Sequence, residues 1–237
     1  MTYQEEVLRM FQEYNAAWIH NGNPQNPHAE LTSGKCSNAF FDCLRVLCHP
    51  NLNEMLAKAL VEKLRDRGVR EVDWVIGSPY AAIAFSYEVA KMLGAVHGFA
   101  EKVLSSNGEK EMAWPRLEIP GGAKVLQVEE LITTSKTFRA VCAAVRRDNP
   151  NPVEFLPVVG TIIHRPPELP ADYSGVEVVS LAELEVWAVD PKDCPLCAKG
   201  SERLRPKTHW AEKKKKKKNK TTGKFSQWFF YFSPILS

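Results

Sequence analysis

The chain has 237 residues, 44% hydrophobic and 25% charged, a composition typical of a water-soluble globular protein with one sizeable core. Its formal net charge of +3 is unevenly distributed: residues 211–237 hold eight lysines and one glutamate, which leaves 23 basic and 27 acidic side chains in residues 1–210. A mildly acidic body argues against a nucleic-acid-binding surface, and no segment has the length and apolarity to span a bilayer. We therefore predict a protein that binds neither nucleic acid nor membrane.

The six cysteines are scattered along the chain rather than spaced as a disulfide framework, so we interpret them as reduced thiols. The first residues, MTYQEEVLRMFQEY, are amphipathic and acidic and lack the apolar stretch of a signal peptide. Together these features predict a cytoplasmic protein.

The first half of the chain contains two segments with apolar residues at helical spacing. They predict helices over residues 3–19 and 51–67, the second capped by Asn51 or Asn53. Between them, residues 28–50 are predicted to form short extended segments around a Ser-Gly turn.

From residue 73 onward, short apolar runs alternate with helical segments. The predicted strands are 73–77, 95–101, 124–130, 155–163 and 176–181, and the predicted helices are 81–94, 137–147 and 182–188. The polar residues 104–122 predict a long loop or a hairpin. This alternation is typical of a parallel sheet covered on both faces, in which ligands bind beyond the carboxyl ends of the strands. We therefore expect residues 77–80, 101–102 and 129–137 to share one rim.

The most informative stretch is VLQVEELITTSKT, residues 125–137. A mostly apolar strand runs into two adjacent carboxylates, Glu129 and Glu130, and then into a loop of hydroxyls that opens a helix. Ionised carboxylates accept hydrogen bonds from sugar hydroxyls, and the free N–H groups of a helix start attract phosphate, assisted here by Lys136. The pattern fits a sugar-phosphate site. It fits an ordinary helix cap after a solvated strand end about as well.

This stretch resembles the signature of the type I phosphoribosyltransferases, and further segments resemble one branch of them, the orotate phosphoribosyltransferases. Those segments, in colinear order, are HAELTSGKCSNAFFD (28–42), VDWVIGSPYAAIAFSYEVAKMLG (72–94), GFAEKV (98–103) and DCPLCAKGSERLRPK (193–207). The resemblance covers about residues 1–210. It implies an α/β fold in which a parallel central sheet flanked by helices carries a small N-terminal hood.

The resemblance also implies an activity. Family members transfer the ribose 5-phosphate of phosphoribosyl pyrophosphate to orotate in pyrimidine biosynthesis, giving orotidine 5′-monophosphate and pyrophosphate, with Mg²⁺ as cofactor and usually as homodimers. By position, the hood would span about residues 1–50, the core about 51–190 and a C-terminal segment 191–210, followed by a lysine-rich tail.

Individual roles follow from the resemblance in the same way. Glu129 and Glu130 would hold the ribose hydroxyls, and Lys102 would contact the pyrophosphate. Lys110 or Arg116 would be the cation of a polar loop that closes over the neighbouring subunit's site. The remaining substrate-binding positions are the 5′-phosphate loop Thr133, Thr134, Ser135, Lys136 and Thr137; the pyrophosphate loop Ser78, Pro79 and Tyr80; Arg139 for the orotate carboxylate; and Ser33, Gly34, Lys35, Phe40 and Phe41 on the base side.

Two of these positions depart from the family's pattern. The second acid is Glu130 rather than the usual Asp, and the extra methylene displaces the carboxylate by roughly 1 Å. Ser135 occupies the position of a usual glycine, where the backbone approaches a phosphate. These departures keep two alternatives open: a phosphoribosyltransferase for another nucleobase, and a non-catalytic, nucleotide-binding regulatory relative.

Cys194 and Cys197 form a Cys-Pro-Leu-Cys pair, which is half of a tetrahedral zinc site. The nearest added ligand in the sequence, His209, has no partner. We therefore interpret the pair as a turn with two reduced thiols and predict no metal ligands in the chain, with zinc shared across a dimer as the alternative.

The lysine-rich tail, KKKKKKNKTTGKFSQWFFYFSPILS (213–237), lies outside the family pattern. We expect its lysine run to be disordered. It is either unselected sequence appended by a frameshift in an A-rich tract, which we favour, or a segment that lies on an anionic membrane surface.

Overall fold

The structure is a computed structural model that describes residues 2–105 and 108–206. His209 and the lysine-rich tail lie outside the described residues. The helices are α1 (Tyr3–Glu13), α2 (Leu44–Leu47), α3 (Pro50–Asp66), α4 (Ala82–Leu93), α5 (Lys136–Asp148) and α6 (Pro195–Ala198). The strands are β1 (Ala17–Ile19), β2 (His28–Glu30), β3 (Cys36–Ser37), β4 (Ala39–Phe41), β5 (Trp74–Gly77), β6 (Val96–Phe99), β7 (Glu101–Leu104), β8 (Lys110–Ala113), β9 (Lys124–Ile132), β10 (Glu154–His164), β11 (Glu177–Glu183), β12 (Ala188–Val189) and β13 (Arg203–Leu204).

Five parallel strands form the central sheet, in the order β11-β10-β9-β5-β6. Helices α1, α3 and α4 cover one face, where Phe11, Leu60 and Phe85 are fully buried. Helix α5 covers the other face, where Val141 packs with Trp114. The predicted α/β architecture, a parallel sheet between helical layers, is therefore confirmed.

A second, four-stranded sheet in the order β12-β3-β2-β13 lies in the hood. Its strands come from both ends of the chain, because β13 pairs in parallel with β2 and β12 pairs antiparallel with β3. The C-terminal segment is therefore built into the N-terminal hood.

Residues 104–122, predicted as a long loop or a hairpin, contain both: strands β7 and β8 pair from Glu101 with Ala113 to Leu104 with Lys110, and residues 114–122 form a loop. Its outer residues 108–111 are exposed and mostly charged, and Leu104 is exposed beside them. The hairpin projects the polar segment beside the start of α5, where both contribute to one cavity.

The prediction of one helix over residues 3–19 is wrong at its second half. Helix α1 ends at Glu13, Asn15 adopts a positive φ of 55°, and β1 then pairs with β4. Trp18 is buried in the hood and its indole N–H donates to the carbonyl of Pro27 at 3.2 Å. Helical spacing cannot reveal this, because tertiary burial of Trp18 overrides the local pattern.

The predicted helix over residues 182–188 is also wrong, because the segment is extended. The backbone N–H of Leu184 donates to His164 and that of Val186 donates to Pro166. Val186 is buried in the main core. Backbone hydrogen bonds to residues 164–166 thus take the place of the hydrogen bonds within a helix.

The helix predicted over residues 51–67 is present as α3, but its cap differs. His49 occupies the N-cap position and Pro50 the first turn, which suits proline because that N–H has no partner in a helix. Asn53 is buried and its side-chain amide donates to the carbonyl of Ala84 at 3.0 Å. Neither predicted asparagine therefore caps the helix.

No helix within residues 2–105 and 108–206 is long and apolar enough to cross a membrane.

Candidate active site

Three parallel strands, β5, β6 and β9, end at the same rim of the central sheet. Gly77, the last residue of β5, lies beside Val128 on one side and Phe99 on the other. A side chain at Gly77 would place its Cβ 2.2 Å from the Ser86 hydroxyl oxygen, so only glycine allows α4 to pack this closely behind the rim. The residues that follow each strand therefore meet at one place.

Glu129 is the buried acid of this rim, with 2% of its surface exposed. The Ser78 hydroxyl donates a short hydrogen bond to its carboxyl group, and the Gln127 side-chain amide donates another at 3.1 Å. Burial raises the pKa of Glu129 to about 8, and the charge of Glu130 acts in the same direction. The two hydrogen bonds and the charge of Lys102 oppose this shift without cancelling it.

Glu130 is the more accessible of the two acids, being half-buried. Burial raises its pKa, whereas a backbone hydrogen bond and the charge of Lys102 act to lower it. The Lys102 ammonium lies 5.7 Å from the centre of the exposed Tyr80 ring, within the range of a cation–π contact. Lys102 thus links the acid pair to the loop that follows β5.

The hydroxyl-rich loop occupies residues 133–135, between the end of β9 and the start of α5 at Lys136. Ser135 holds the N-cap position but its side chain makes no capping hydrogen bond. The loop therefore places three hydroxyl-bearing residues next to the positive end of a thirteen-residue helix. An anion placed there would meet several donors.

A cavity of about 760 Å³ opens between the β7–β8 hairpin and one face of α5, from Lys136 to Arg147. Its polar lining comprises Tyr80, Lys102, Lys110, Glu111, Lys136, Thr137 and Arg147. Arg147 forms an ion pair with Asp148 at 2.6 Å, so the three lysines supply most of the uncompensated positive charge. The cavity is suited to a polyanion such as a diphosphate.

Two basic residues that the resemblance assigns to the site lie outside this cavity. Arg116 pairs with Glu101 at 2.5 Å and lines a separate cavity of about 160 Å³. Arg139 donates to the carbonyl of Tyr173 at 2.9 Å and lines a third cavity of about 470 Å³. Of the two cations assigned to the polar segment, Lys110 lines the cavity that also contains Lys102 and Lys136.

The hood residues assigned to the base side lie apart from the same cavity. The turn at residues 33–35 is closed by a hydrogen bond from Leu31 N–H to the Lys35 carbonyl, and Gly34 supplies its φ of +81°. Phe40 packs in the hood core, whereas Phe41 is buried against the ring of Phe11 with centroids 6.2 Å apart.

No family model matches the chain. Among curated proteins, it is 32% identical over 203 residues to the orotate phosphoribosyltransferase of Pelotomaculum thermopropionicum, an alignment that covers 86% of this chain and 96% of the relative. It is likewise 32% identical over 203 residues to that of Desulforamulus reducens, and 31% identical over 204 residues to that of Caldanaerobacter subterraneus, with the same shares covered. The chain belongs to the orotate phosphoribosyltransferase family. The resemblance stated from VLQVEELITTSKT and its companion segments is confirmed.

Solved structures of the orotate phosphoribosyltransferase family share the fold. The enzyme from Aeropyrum pernix superposes with a TM-score of 0.56 at 17% identity, covering 75% of this chain and 93% of that one. The enzyme from Mycobacterium tuberculosis, in complex with Fe(III) dicitrate, gives a TM-score of 0.53 at 17% identity over 77% and 97% of the two chains. This chain therefore has the type I phosphoribosyltransferase fold. Its family is one of glycosyl-transferring enzymes.

Two residues of this candidate site were not predicted from the sequence. Gln127 holds Glu129 through its amide, and its side-chain oxygen accepts a hydrogen bond from the Cys142 thiol at 2.9 Å. Its signal was a polar side chain in an otherwise apolar buried strand. Arg147 lies on the cavity wall three turns into α5, and its spacing along the helix carried no such signal.

Proposed function

We propose that this family member transfers the ribose 5-phosphate of phosphoribosyl pyrophosphate to N1 of orotate. The observation that carries the proposal is a carboxyl pair beside a lysine-lined cavity at one rim of a parallel sheet. Carboxylates accept hydrogen bonds from sugar hydroxyls, whereas lysines and helix N–H groups bind phosphates. A phosphorylated sugar that carries a diphosphate needs both kinds of group side by side.

The ribose would be held by the two acids. Glu130 is accessible enough to accept hydrogen bonds from the ribose hydroxyls directly. Glu129 is covered by Ser78, so its contact with the sugar would require the Ser78 hydroxyl to turn away from it. Loop residues 133–135, with Lys136 and Thr137 at the helix start, would hold the 5′-phosphate.

The pyrophosphate would lie toward the lysine-lined cavity. Lys102 and Lys110 face it from the hairpin, and residues 78–80 approach it from the end of β5. Phosphate oxygens accept charge-assisted hydrogen bonds from lysine, which are stronger than those between neutral groups. These contacts strengthen as the leaving group gains charge.

The reaction itself requires little covalent participation by the protein. The bond between the anomeric carbon and pyrophosphate breaks and its electron pair leaves with the pyrophosphate. N1 of orotate releases its proton to solvent and donates the pair that forms the new bond. The ribose becomes cationic between these events. Positioning of the two reactants and neutralisation of the leaving group therefore supply the rate enhancement.

We also propose Mg²⁺ as the cofactor. Among the described residues, the one group of three or more potential metal-ligating side chains is made of histidine and cysteine, so the rim holds no carboxylate cage. Two carboxyls and several hydroxyls fit an ion that takes most of its oxygen ligands from the substrate, as Mg²⁺ commonly does. When bound, it would neutralise charge on the diphosphate.

The remaining assignments concern orotate and assembly. We propose that residues 33–35 and Arg139 contribute to base recognition, and that the protein works in the cytoplasm as a homodimer. Exposed apolar side chains on the open edge of the central sheet support an interface there: Tyr87, Val96 and Leu117 are each more than two-fifths exposed.

Pyrophosphate release tests the proposal. The full chain is incubated with Mg²⁺, phosphoribosyl pyrophosphate and, in separate reactions, orotate, uracil, adenine or hypoxanthine. We expect pyrophosphate to be released in the reaction with orotate and in none of the reactions with the other three bases. Glu130→Gln should lower kcat/KM for phosphoribosyl pyrophosphate by about 10- to 100-fold, because a charged hydrogen bond to ribose is lost.

The matched control is Glu13→Gln, which changes an exposed acid at the end of α1 and should leave turnover unaltered. Release with another base alone would identify a relative with a different acceptor. Absence of release with every base, while phosphoribosyl pyrophosphate still raises the melting temperature, would identify a non-catalytic nucleotide-binding protein.

A further inference from the structure

Four side chains converge where the C-terminal segment meets the hood sheet: His28, Cys36, Cys194 and Cys197. Their potential ligand atoms all lie within 4.8 Å of one another, and three of the four residues are buried. Cys194 and Cys197 are the Cys-Pro-Leu-Cys pair, whose missing partners come from the other end of the chain. This cluster takes no part in the proposed phosphoribosyl transfer.

Three separations within the cluster are close to those around a tetrahedral zinc ion. Zn–S bonds of about 2.3 Å and Zn–N bonds of about 2.0–2.1 Å place two sulfurs about 3.8 Å apart and a sulfur and a nitrogen about 3.5 Å apart. The sulfurs of Cys36 and Cys197 are 3.6 Å apart. The His28 Nε2 atom lies 3.6 Å from the Cys194 sulfur and 3.5 Å from the Cys197 sulfur.

The hydrogen bonds of His28 fix the tautomer that a metal requires. The Ser201 hydroxyl donates its single hydrogen to the carbonyl of Asn26 at 2.8 Å. Ser201 can therefore only accept from His28 Nδ1, which lies 2.9 Å away and must carry the proton. The lone pair of Nε2 then points at the sulfurs, the arrangement typical of a zinc-binding histidine.

The surrounding elements hold the four side chains in place. His28 lies on β2 and Cys36 on the antiparallel strand β3. Cys194 is the N-cap of α6, and its sulfur accepts a hydrogen bond from the backbone N–H of Cys197 at 3.4 Å. Trp187 packs against the cluster from the side of β12. The site is therefore formed by three elements and is largely buried, with only Cys197 half-exposed.

We propose that these four side chains bind one structural zinc ion. Three thiolates and an imidazole are soft ligands that select zinc over the hard cations Mg²⁺ and Ca²⁺. Four protein ligands close the coordination shell, so the site holds no position for a substrate. The three thiols lose their protons as the ion binds.

The zinc site would fasten the C-terminal segment to the hood. The pairing between β13 and β2 covers only Arg203 with His28 and Leu204 with Ala29, which is too short to be stable alone. A metal bound by β2, β3 and α6 would connect the C-terminal segment to the hood through additional ligand bonds. Loss of the ion should therefore release residues 191–206 from the hood.

Zinc content tests the proposal directly. The untagged full chain is purified under reducing conditions and analysed by elemental mass spectrometry, together with Cys197→Ser and the matched control Cys48→Ser, whose cysteine is exposed and outside the cluster. We expect about one zinc ion per chain in the wild type and in the control, and a loss of at least about tenfold in Cys197→Ser. Zinc retained by Cys197→Ser would overturn the assignment.

A second measurement does not depend on a variant that folds. Cobalt replaces zinc in the full chain, and the visible spectrum is recorded. Intense d–d bands with thiolate-to-cobalt charge transfer would support a tetrahedral sulfur-rich site. A chain that takes up neither metal, or that carries a Cys36–Cys197 disulfide detected as the loss of two hydrogens, would refute it. Both readouts are independent of turnover, so their failure is distinguishable from a failure of the proposed function.

Discussion

Glu129 is a carboxyl group that the fold holds away from water. Its contacts are a serine from the adjacent strand end and an amide two residues earlier on its own strand. A buried acid is normally neutralised rather than left charged, and the raised pKa of Glu129 follows this rule. At neutral pH, Glu129 therefore keeps its proton in most molecules. A cation that binds beside Glu129 would favour loss of that proton.

This protonation predicts a pH-dependent stability. The pKa of Glu129 rises from its ordinary value of 4.5 to about 8 in the folded chain, so between these pH values the folded chain keeps a proton that the unfolded chain has lost. The contribution of Glu129 to the free energy of unfolding is therefore greatest below about pH 4.5 and falls as the pH rises to about 8. Glu129→Gln has no group that titrates at this position, so it should keep the stability that the wild type loses. The difference in the free energy of unfolding is at most about 1.4 kcal/mol for each pH unit between the two pKa values.

Thermal melting across this pH range measures the effect. We expect the melting temperature of Glu129→Gln, relative to the wild type, to increase from about pH 5 to about pH 8.5. Glu13→Gln, an exposed acid, should show no such trend. A difference between Glu129→Gln and the wild type that stays constant across the range would contradict the protonation proposed for Glu129.

The site residues that could be predicted from the sequence are those that interrupt a local pattern of apolar residues. Glu129 and Glu130 stood out because two acids end an apolar strand. The hydrogen bond from Ser78 to Glu129 could not be predicted from local sequence patterns, because it joins residues 51 positions apart. The convergence of Cys36 on Cys197, 161 positions away, was hidden for the same reason.

Elements with a strong internal pattern were predicted well. The parallel strands and helices α3, α4 and α5 appear close to their predicted bounds, because apolar periodicity and glycine endings determine them locally. The errors at residues 14–19 and 182–188 occur in segments whose conformation is determined by distant partners. A single sequence holds no local record of those partners.

Gly77 offers a prediction at the level of packing between β5 and α4. A methyl group there would meet the Ser86 hydroxyl oxygen at 2.2 Å and the Ser86 Cβ at 3.0 Å, so α4 or the following loop must shift. We expect Gly77→Ala to lower the free energy of unfolding by about 1–3 kcal/mol, as overpacking commonly does. Because Ser78 follows directly, turnover should fall as well.

Chemical denaturation provides the measurement, with Gly121→Ala as the control. The nearest atom to a methyl group at Gly121 is the Asn151 Cβ at 3.7 Å, an ordinary contact. The control should therefore differ from the wild type by less than about 0.5 kcal/mol. If Gly77→Ala proves as stable as the control, the close packing of α4 against β5 is not required.

The groups proposed to hold the ribose and its phosphates lie in one part of the chain that the structure describes. The acid pair, the hydroxyl-rich loop and the lysine-lined cavity all lie within residues 78–147. Residues 211–237 add a net charge of +7 to a body of −4, which explains why the formal charge of the chain misrepresents its surface. We therefore expect catalysis to be a property of residues 1–210.

The most direct test of the central claim is to identify the product formed from orotate. The full chain and a chain ending at Trp210 are each incubated with orotate, phosphoribosyl pyrophosphate and Mg²⁺, and the nucleotides are analysed by mass spectrometry. We expect orotidine 5′-monophosphate and pyrophosphate in equal amounts from both chains. Absence of any nucleotide from orotate at saturating substrate, in both chains, would contradict it.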